Sequence, residues 1–407
     1  MTTRNEIHVI GAGLAGLTAA AYVARAGLPV VVHETRNRLG GRATTDDRAG
    51  FRFDQGPHAL YRGGAAERVL AELGVRPSGR APGVDGVWVR DGTAHRAPTG
   101  AASLLRTTAV GWRAKVELGR FLGSLPRQRP ADHAHRSVAD WVDGTFRDEG
   151  AREVVAMLIR LTSYVNRPEE LSAEVGIGMV QAGLGPGVRY LERGWDQLVD
   201  AVAAAPGVRI DAGVGIHALP DAAAVIVAAG GPDNAATLAE VDPALLACGP
   251  RADAACLDLG VRGAPPQSLA LGLDVPCYAS HHSEPGGRAP GGSSTVAVAE
   301  YLGDGNEPSR QRLEHFAALA GIHADQIVTQ RYLHRMVACS AIPLAARGGL
   351  AGRPDVDALA RVAGRPGTFV AGDWVGPEGH LADAVFASAR SAAMAAVRHV
   401  ERRPVIG

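Results

Sequence analysis

Lysine is almost missing from this chain: of 42 basic residues, only Lys115 is not arginine. Acidic residues also number 42, which leaves no net charge. A chain without a basic excess lacks the electrostatic footprint of a nucleic-acid binder. Cysteine is scarce too. Cys248, Cys256, Cys277 and Cys339 are scattered, without the close pairing that holds zinc or forms a redox dithiol, and they read as thiols of a reducing cytoplasm. No metal is expected: His281 and His282 are the only adjacent histidines, and no His/Asp/Glu set has ligand spacing. Nor is any apolar run long enough to cross a bilayer. The stretch 7–24 is apolar, but its glycines suit a strand–turn–helix better than a signal peptide. At 407 residues of ordinary apolar content, the chain is long enough for two domains.

Motif content begins at once. "IHVI" (Ile7 to Ile10) is a short buried-strand pattern, and "GAGLAG" follows it with Gly11, Gly13 and Gly16. "LTAAAYVARAG" predicts a helix stopped by Gly27, and "PVVVHE" a second strand ending at Glu34. This is a βαβ unit carrying a dinucleotide fingerprint in its expected context. Gly11 permits the tight turn, Gly13 the approach of backbone to a pyrophosphate, and Gly16 close helix–strand packing. The helix N-terminus offers unpaired N–H groups and a positive dipole end to the phosphates, and Leu14 and Ala15 of the loop are further candidates to contact the cofactor. Glu34 is placed to accept hydrogen bonds from ribose hydroxyls and to repel a 2′-phosphate.

The next residues, "ETRNRLGGRATT", place Gly40, Gly41 and Arg42 after the acidic residue. This resembles the E-A-x-x-R-x-G-G-R segment of the flavin amine oxidase, protoporphyrinogen oxidase and phytoene desaturase superfamily, differing by Thr35 for alanine. The resemblance implies non-covalent FAD, with Arg42 and Arg36 along the cofactor. Two further segments carry it. Gly56-Pro57-His58 matches the stretch that passes beside the isoalloxazine ring, and "AGD" followed by "GHLADA" matches the third flavin motif. There Gly372 and Asp373 would meet the ribityl chain. A helix beginning near Gly379 would aim backbone near Leu381 and Ala382 at the flavin N1–C2=O edge. Val214 matches a position whose backbone meets adenine. The last motif is most similar to bacterial phytoene-dehydrogenase-like oxidoreductases.

The implied fold is α/β. A Rossmann-type FAD-binding domain, a parallel sheet with helices on its faces, would come from residues 1–80, 186–254 and 346–407. An α+β substrate domain would be inserted in two segments, 81–185 and 255–345. By pattern the first insert is mostly helical and the second carries strands. "GVRIDAGVGIHAL" predicts a strand pair. The implied chemistry is oxidation or desaturation of a small or lipophilic substrate by hydride transfer to flavin N5, the cofactor supplying the reactivity. An amine or amino-acid oxidase, a redox-neutral isomerase and a non-catalytic flavin-binding subunit are the alternatives. The only lysine lies far from the substrate-domain strands, which disfavours the amine-oxidase branch. His58, Tyr61 and Tyr278 are the candidates to line the ring or handle a proton. Residues 106–129 form a basic amphipathic pattern, read either as a solvated helix face or as a weak membrane-surface contact of a cytoplasmic protein.

Overall fold

The computed structural model describes residues 6–246, 248–282, 287–303 and 305–402. A five-stranded parallel sheet runs in the order Val208–Ala212, Val30–Glu34, Ile7–Ile10, Ala224–Val227, Thr368–Val370. Its three central strands, "VVVHE", "IHVI" and "AVIV", are β-branched and buried on both faces, which is what a parallel sheet covered by helices requires. One face carries the helices Leu14–Arg25 and Ala382–Glu401. Ala19, Ala20, Ala389, Ala392, Ala393 and Ala396 are fully buried between and beneath them, so small side chains let the two helices come close to the sheet and to each other. The other face is covered by Pro232–Leu238 and Ala358–Val362.

Boundaries differ from the sequence pattern where backbone conformation decides. The first helix starts at Leu14, earlier than expected, and Gly27 stops it at a left-handed φ of 79°. The last helix starts at Ala382 and not near Gly379, because Gly379 (φ 72°) and Leu381 (φ 52°) are both outside helical space. Only Val208–Ala212 of the expected strand pair forms. Gly213 turns at φ 76°, and the N–H groups of Gly213 and Val214 donate to the carbonyls of Arg36 and Glu34, folding the chain over the end of the Glu34 strand.

A second sheet has seven strands in the order Ile327–Cys339, Ala252–Arg262, Ser293–Leu302, Cys277–His281, Leu269–Gly272, Gly86–Arg90, Thr93–Arg96. The last two form a hairpin inside a segment expected to be mostly helical. Its two-residue turn, Asp91-Gly92, has both φ values positive (50° and 68°), the mirror-image turn that matches strand twist. The helices Trp112–Ser124, Val138–Thr145, Glu149–Ser163 and Ala173–Leu184 pack with this sheet around Phe121, Trp141 and Phe146.

A short ribbon, Thr45–Arg48 with Phe51–Asp54, links the two sheets. Arg331, 4% exposed on the second sheet, donates to Asp258 beside it and to Asp46 and the Asp54 carbonyl on the ribbon. The ribbon leads directly into Gly56-Pro57-His58.

Candidate functional site

The fingerprint loop is built by exclusion of side chains. Gly11 adopts φ 102°, and a Cβ there would stand 2.6 Å from the Ala228 carbonyl oxygen. A Cβ on Gly16 would strike the Gly11 carbonyl. Gly13 is different: its φ of −75° suits any residue, and a Cβ would meet nothing within 4 Å. The space over Gly13 is therefore open, at the start of a helix that no side chain caps and whose first turn holds no acid. That is a positive helix end that no side chain of the helix caps. Glu34 borders it, its two carboxylate oxygens accepting from the N–H groups of Ala12 and Arg36 at 2.9 Å each. Arg36 itself is exposed. The Gly40 N–H donates to the Ala12 carbonyl, which lays the Gly40-Gly41-Arg42 turn against the loop.

Arg42 then joins this loop to a segment near the other end of the chain. Its NH1 and NH2 groups each donate at 3.0 Å to Asp373, a bidentate pair between residues 331 apart in sequence. Asp373 also accepts from the Ser340 N–H. Burial alone would raise its carboxyl, but Arg42 and Ser340 outweigh that and hold it at about 2. Asp373 is 1% exposed, whereas 41% of the Arg42 side chain is reachable by solvent. The Arg42 side chain is thus partly open to solvent while its guanidinium is anchored on a buried carboxylate. Arg353 clamps the following loop, donating to the carbonyls of Asp373 and Gly379.

Where this loop enters the last helix, Leu381 adopts φ 52° and ψ −127°, a conformation that costs a non-glycine residue about 1–3 kcal/mol. Beside it His380 is 2% exposed. Its Nε2 lies 2.9 Å from the Ser163 carbonyl; a carbonyl only accepts, so Nε2 carries the proton and Nδ1 a lone pair. That Nδ1 is buried and has no hydrogen-bond partner. His58 has the opposite tautomer. Its Nδ1 lies 2.9 Å from the Gly56 carbonyl, which leaves Nε2 free to accept, and its ring centroid is 5.0 Å from that of Trp195. Burial lowers its pKa, outweighing the opposing Asp54 carboxylate, so it is neutral at pH 7.

The structure brings Gly11, Gly13, Glu34 and the Gly40-Gly41-Arg42 turn together through backbone and carboxylate contacts, and ties Arg42 to Asp373 beside the loop that leads to Leu381 and Ala382. The N–H of Val214 is already donated to Glu34. Tyr61 and Tyr278 are placed otherwise. Tyr61 is buried and its hydroxyl donates to the Thr162 carbonyl at 2.6 Å; Tyr278 pairs with the Tyr164 hydroxyl at 2.6 Å and stacks on Tyr301. Burial raises both phenols well above their ordinary pKa. Both hydroxyls are thus engaged in hydrogen bonds within the protein. Tyr61→Phe should cost about 1 kcal/mol in a urea melt and leave turnover within twofold. His380, Ser340 and Arg353 are site residues that the sequence does not point to; "GHLADA" contains His380 openly, but one histidine inside a motif carries no periodic signal.

The buried histidines set an acid limit. Burial, with Arg353 nearby, lowers His380 to about 4, and burial lowers His282 to about 3. Unfolded, each titrates near 6.5, so below that pH the unfolded chain binds more protons than the native one. Stability is intact above pH 6.5 and falls as pH drops towards 4, by about 1.4 kcal/mol per unit for each histidine. Urea midpoints taken from pH 7 to 4 should show this slope, and His380→Leu should flatten it.

The model of the family described as flavin containing amine oxidoreductase matches residues 14–258, more than half of the chain. The chain belongs to that family. A component of the limonene dehydrogenase of Castellaniella defragrans is 35% identical over 127 residues, 31% of this chain and 21% of that protein. Phytoene dehydrogenase of Streptomyces griseus is 32% identical over 143 residues, 35% of this chain and 26% of that protein. The matched part is thus about a fifth to a quarter of the length of these curated relatives. Cyclohexylamine oxidase from Brevibacterium oxydans shares the fold, with a TM-score of 0.69 and 17% identity, covering 98% of this chain and 100% of that one. The family is one of flavin-containing oxidoreductases. The site suits a flavin: the open glycine cradle and bare helix end fit a phosphate, and the orphaned Nδ1 of His380 fits a polar donor from a bound group. Among the described residues no group of three or more His, Cys, Asp or Glu could hold a metal ion, and no helix is long and apolar enough to cross a membrane.

Proposed function

We propose that the flavin is FAD, held without a covalent bond, and that the enzyme removes hydrogen from a small or lipophilic, uncharged substrate. The observation that carries this reading is the chain of contacts running from Glu34 through Ala12, Gly13 and the Gly40-Gly41 turn to the Arg42–Asp373 pair. Glu34 stands where an adenosine ribose would lie, a group that FAD has and a mononucleotide flavin lacks. Non-covalent attachment is supported by Cys339, which is fully buried, directs its thiol at the Ala341 carbonyl and is pushed by burial to about 12, so that no thiolate is available.

When bound, the flavin supplies the hydride acceptor. The chain's own residues do the rest. Arg42 anchors the negative part of the cofactor, and Asp373 keeps Arg42 from swinging out. His58, neutral and with Nε2 unencumbered, can accept a proton from the carbon next to the one losing hydride. Tyr61, Tyr164, Tyr190, Tyr278 and Tyr301 are neutral phenols, and burial holds each above its ordinary pKa. Lys115 donates to the Leu105 carbonyl on an outer helix, so the chain's one lysine is not at the site. These features favour an uncharged substrate over an amine.

The test is anaerobic bleaching of the purified yellow protein against cyclic alkenes, isoprenoids and primary amines. Bleaching by an alkene or isoprenoid, slowed by His58→Asn at unchanged flavin content, is the expected result. Bleaching by amines alone would overturn the substrate class, and a protein that takes up no FAD would overturn the whole reading.

A further inference from the structure

We infer that the helix Trp112–Ser124 and the turn before it form a docking face for an anionic lipid surface, independently of which substrate the enzyme takes. Ala114, Leu118 and Phe121 point inward and are at most 4% exposed. At helical spacing the opposite stripe is Trp112, Val116, Gly119 and Gly123. Trp112 is 66% exposed, and the nearby Leu105 and Leu122 are 56% and 39% exposed. An outward Trp set among small and aliphatic residues is a poor solvent face and a good interfacial one.

Charge decides the partner. Arg113 and Arg120 flank one side of the stripe and Lys115 the other, with Arg106, Arg127 and Arg129 at the two ends. Against these six cations the segment 106–129 holds one acid, Glu117. Its carboxylate is turned away, accepting from the N–H groups of Arg147 and Asp148. The outward face is therefore cationic around an apolar centre, in a chain whose total charge is zero. That local excess complements an anionic bilayer, where apolar side chains sink to the acyl boundary and the cations stay at headgroup level.

The experiment uses the full chain with vesicles of phosphatidylglycerol and phosphatidylcholine in equal parts, and with phosphatidylcholine alone. Co-sedimentation with the anionic vesicles, reversed by salt, is expected. Tryptophan emission should shift to the blue on binding. Trp88, Trp141, Trp195 and Trp374 are all at most 6% exposed, so the shift reports Trp112. Arg113→Gln and Arg120→Gln should each lower partitioning by about fivefold, and Trp112→Ser should weaken it further with the melting temperature unchanged. Arg48→Gln, on the exposed ribbon, should have no effect. Failure to sediment with anionic vesicles would overturn the inference. So would sedimentation that leaves the emission unshifted, or that Arg48→Gln reduces as much as Arg113→Gln does.

Discussion

Gly13→Asp should give a colourless protein that folds at least as well as the parent. The backbone at Gly13 (φ −75°, ψ 175°) accepts any side chain, and the new Cβ meets nothing, so the native structure needs no adjustment. Aspartate is also a good N-terminal cap, worth a few tenths of a kcal/mol over glycine, and its charge suits the positive helix end. The same charge would occupy the place of a phosphate. Like charges brought together at a binding interface cost several kcal/mol, so flavin affinity should fall by on the order of 100-fold or more. Gly11→Ala makes the contrast. Its methyl would stand 2.6 Å from the Ala228 carbonyl on a backbone at φ 102°, so it should lower the stability of the apoprotein itself by about 1–3 kcal/mol. Flavin absorbance after purification, a titration with FAD and the apoprotein melting temperature separate the two. A Gly13→Asp protein that stays yellow would remove the phosphate cradle from the account.

The glycines of the fingerprint are legible in the sequence because they encode local geometry: a turn, a close packing and an open approach all act within six residues. The Asp91-Gly92 turn is local in the same way, since a D-G pair between alternating strands is a hairpin signal, yet the helical patterns around it mask it. Arg42 and Asp373 are each visible by motif, but their bidentate pair joins positions 331 residues apart and exists only once the parallel sheet has placed both at its carboxyl edge. Residue type alone does not fix what Tyr61 and Tyr278 do. A phenol has the capacity to move a proton; what its hydroxyl meets, Thr162 for one and Tyr164 for the other, is set by residues about 100 positions away that the sequence does not pair with it. The loop at Gly213 fails as a strand for a similar reason: the carbonyls of Arg36 and Glu34 take the N–H groups that a ladder would have used.

Arg331→Met should be among the most destabilising single substitutions, because one guanidinium holds the second sheet to the ribbon that presents His58. Its Nε donates to Asp258 at 3.0 Å, its NH1 to Asp46 at 2.6 Å and its NH2 to the Asp54 carbonyl, while its Cζ sits 5.6 Å from the Phe53 ring centroid. Asp258 is 3% exposed, and burial already lifts its carboxyl to about 6 against the pull of Arg331. Removing the partner leaves a buried carboxylate alone, a change that typically costs about 3–5 kcal/mol. Its pH dependence has a definite sign. Without Arg331 the Asp258 pKa rises further above its unfolded value, so the native state holds a proton that the unfolded chain releases. The Asp258 contribution to the variant's stability is then lost as pH rises, and, with the histidine terms common to both proteins, the gap to the parent should widen between pH 5 and 8. Arg331→Met combined with Asp258→Leu should recover much of the loss, since no buried charge remains. Flavin binding should stay weakened in that double variant. The ribbon would still lack the hydrogen bonds to Asp46 and Asp54, and the segment it carries, Gly56-Pro57-His58, would be free to shift. Urea melts across this pH range and FAD titration of both proteins distinguish lost charge pairing, which the second substitution repairs, from lost positioning, which it does not.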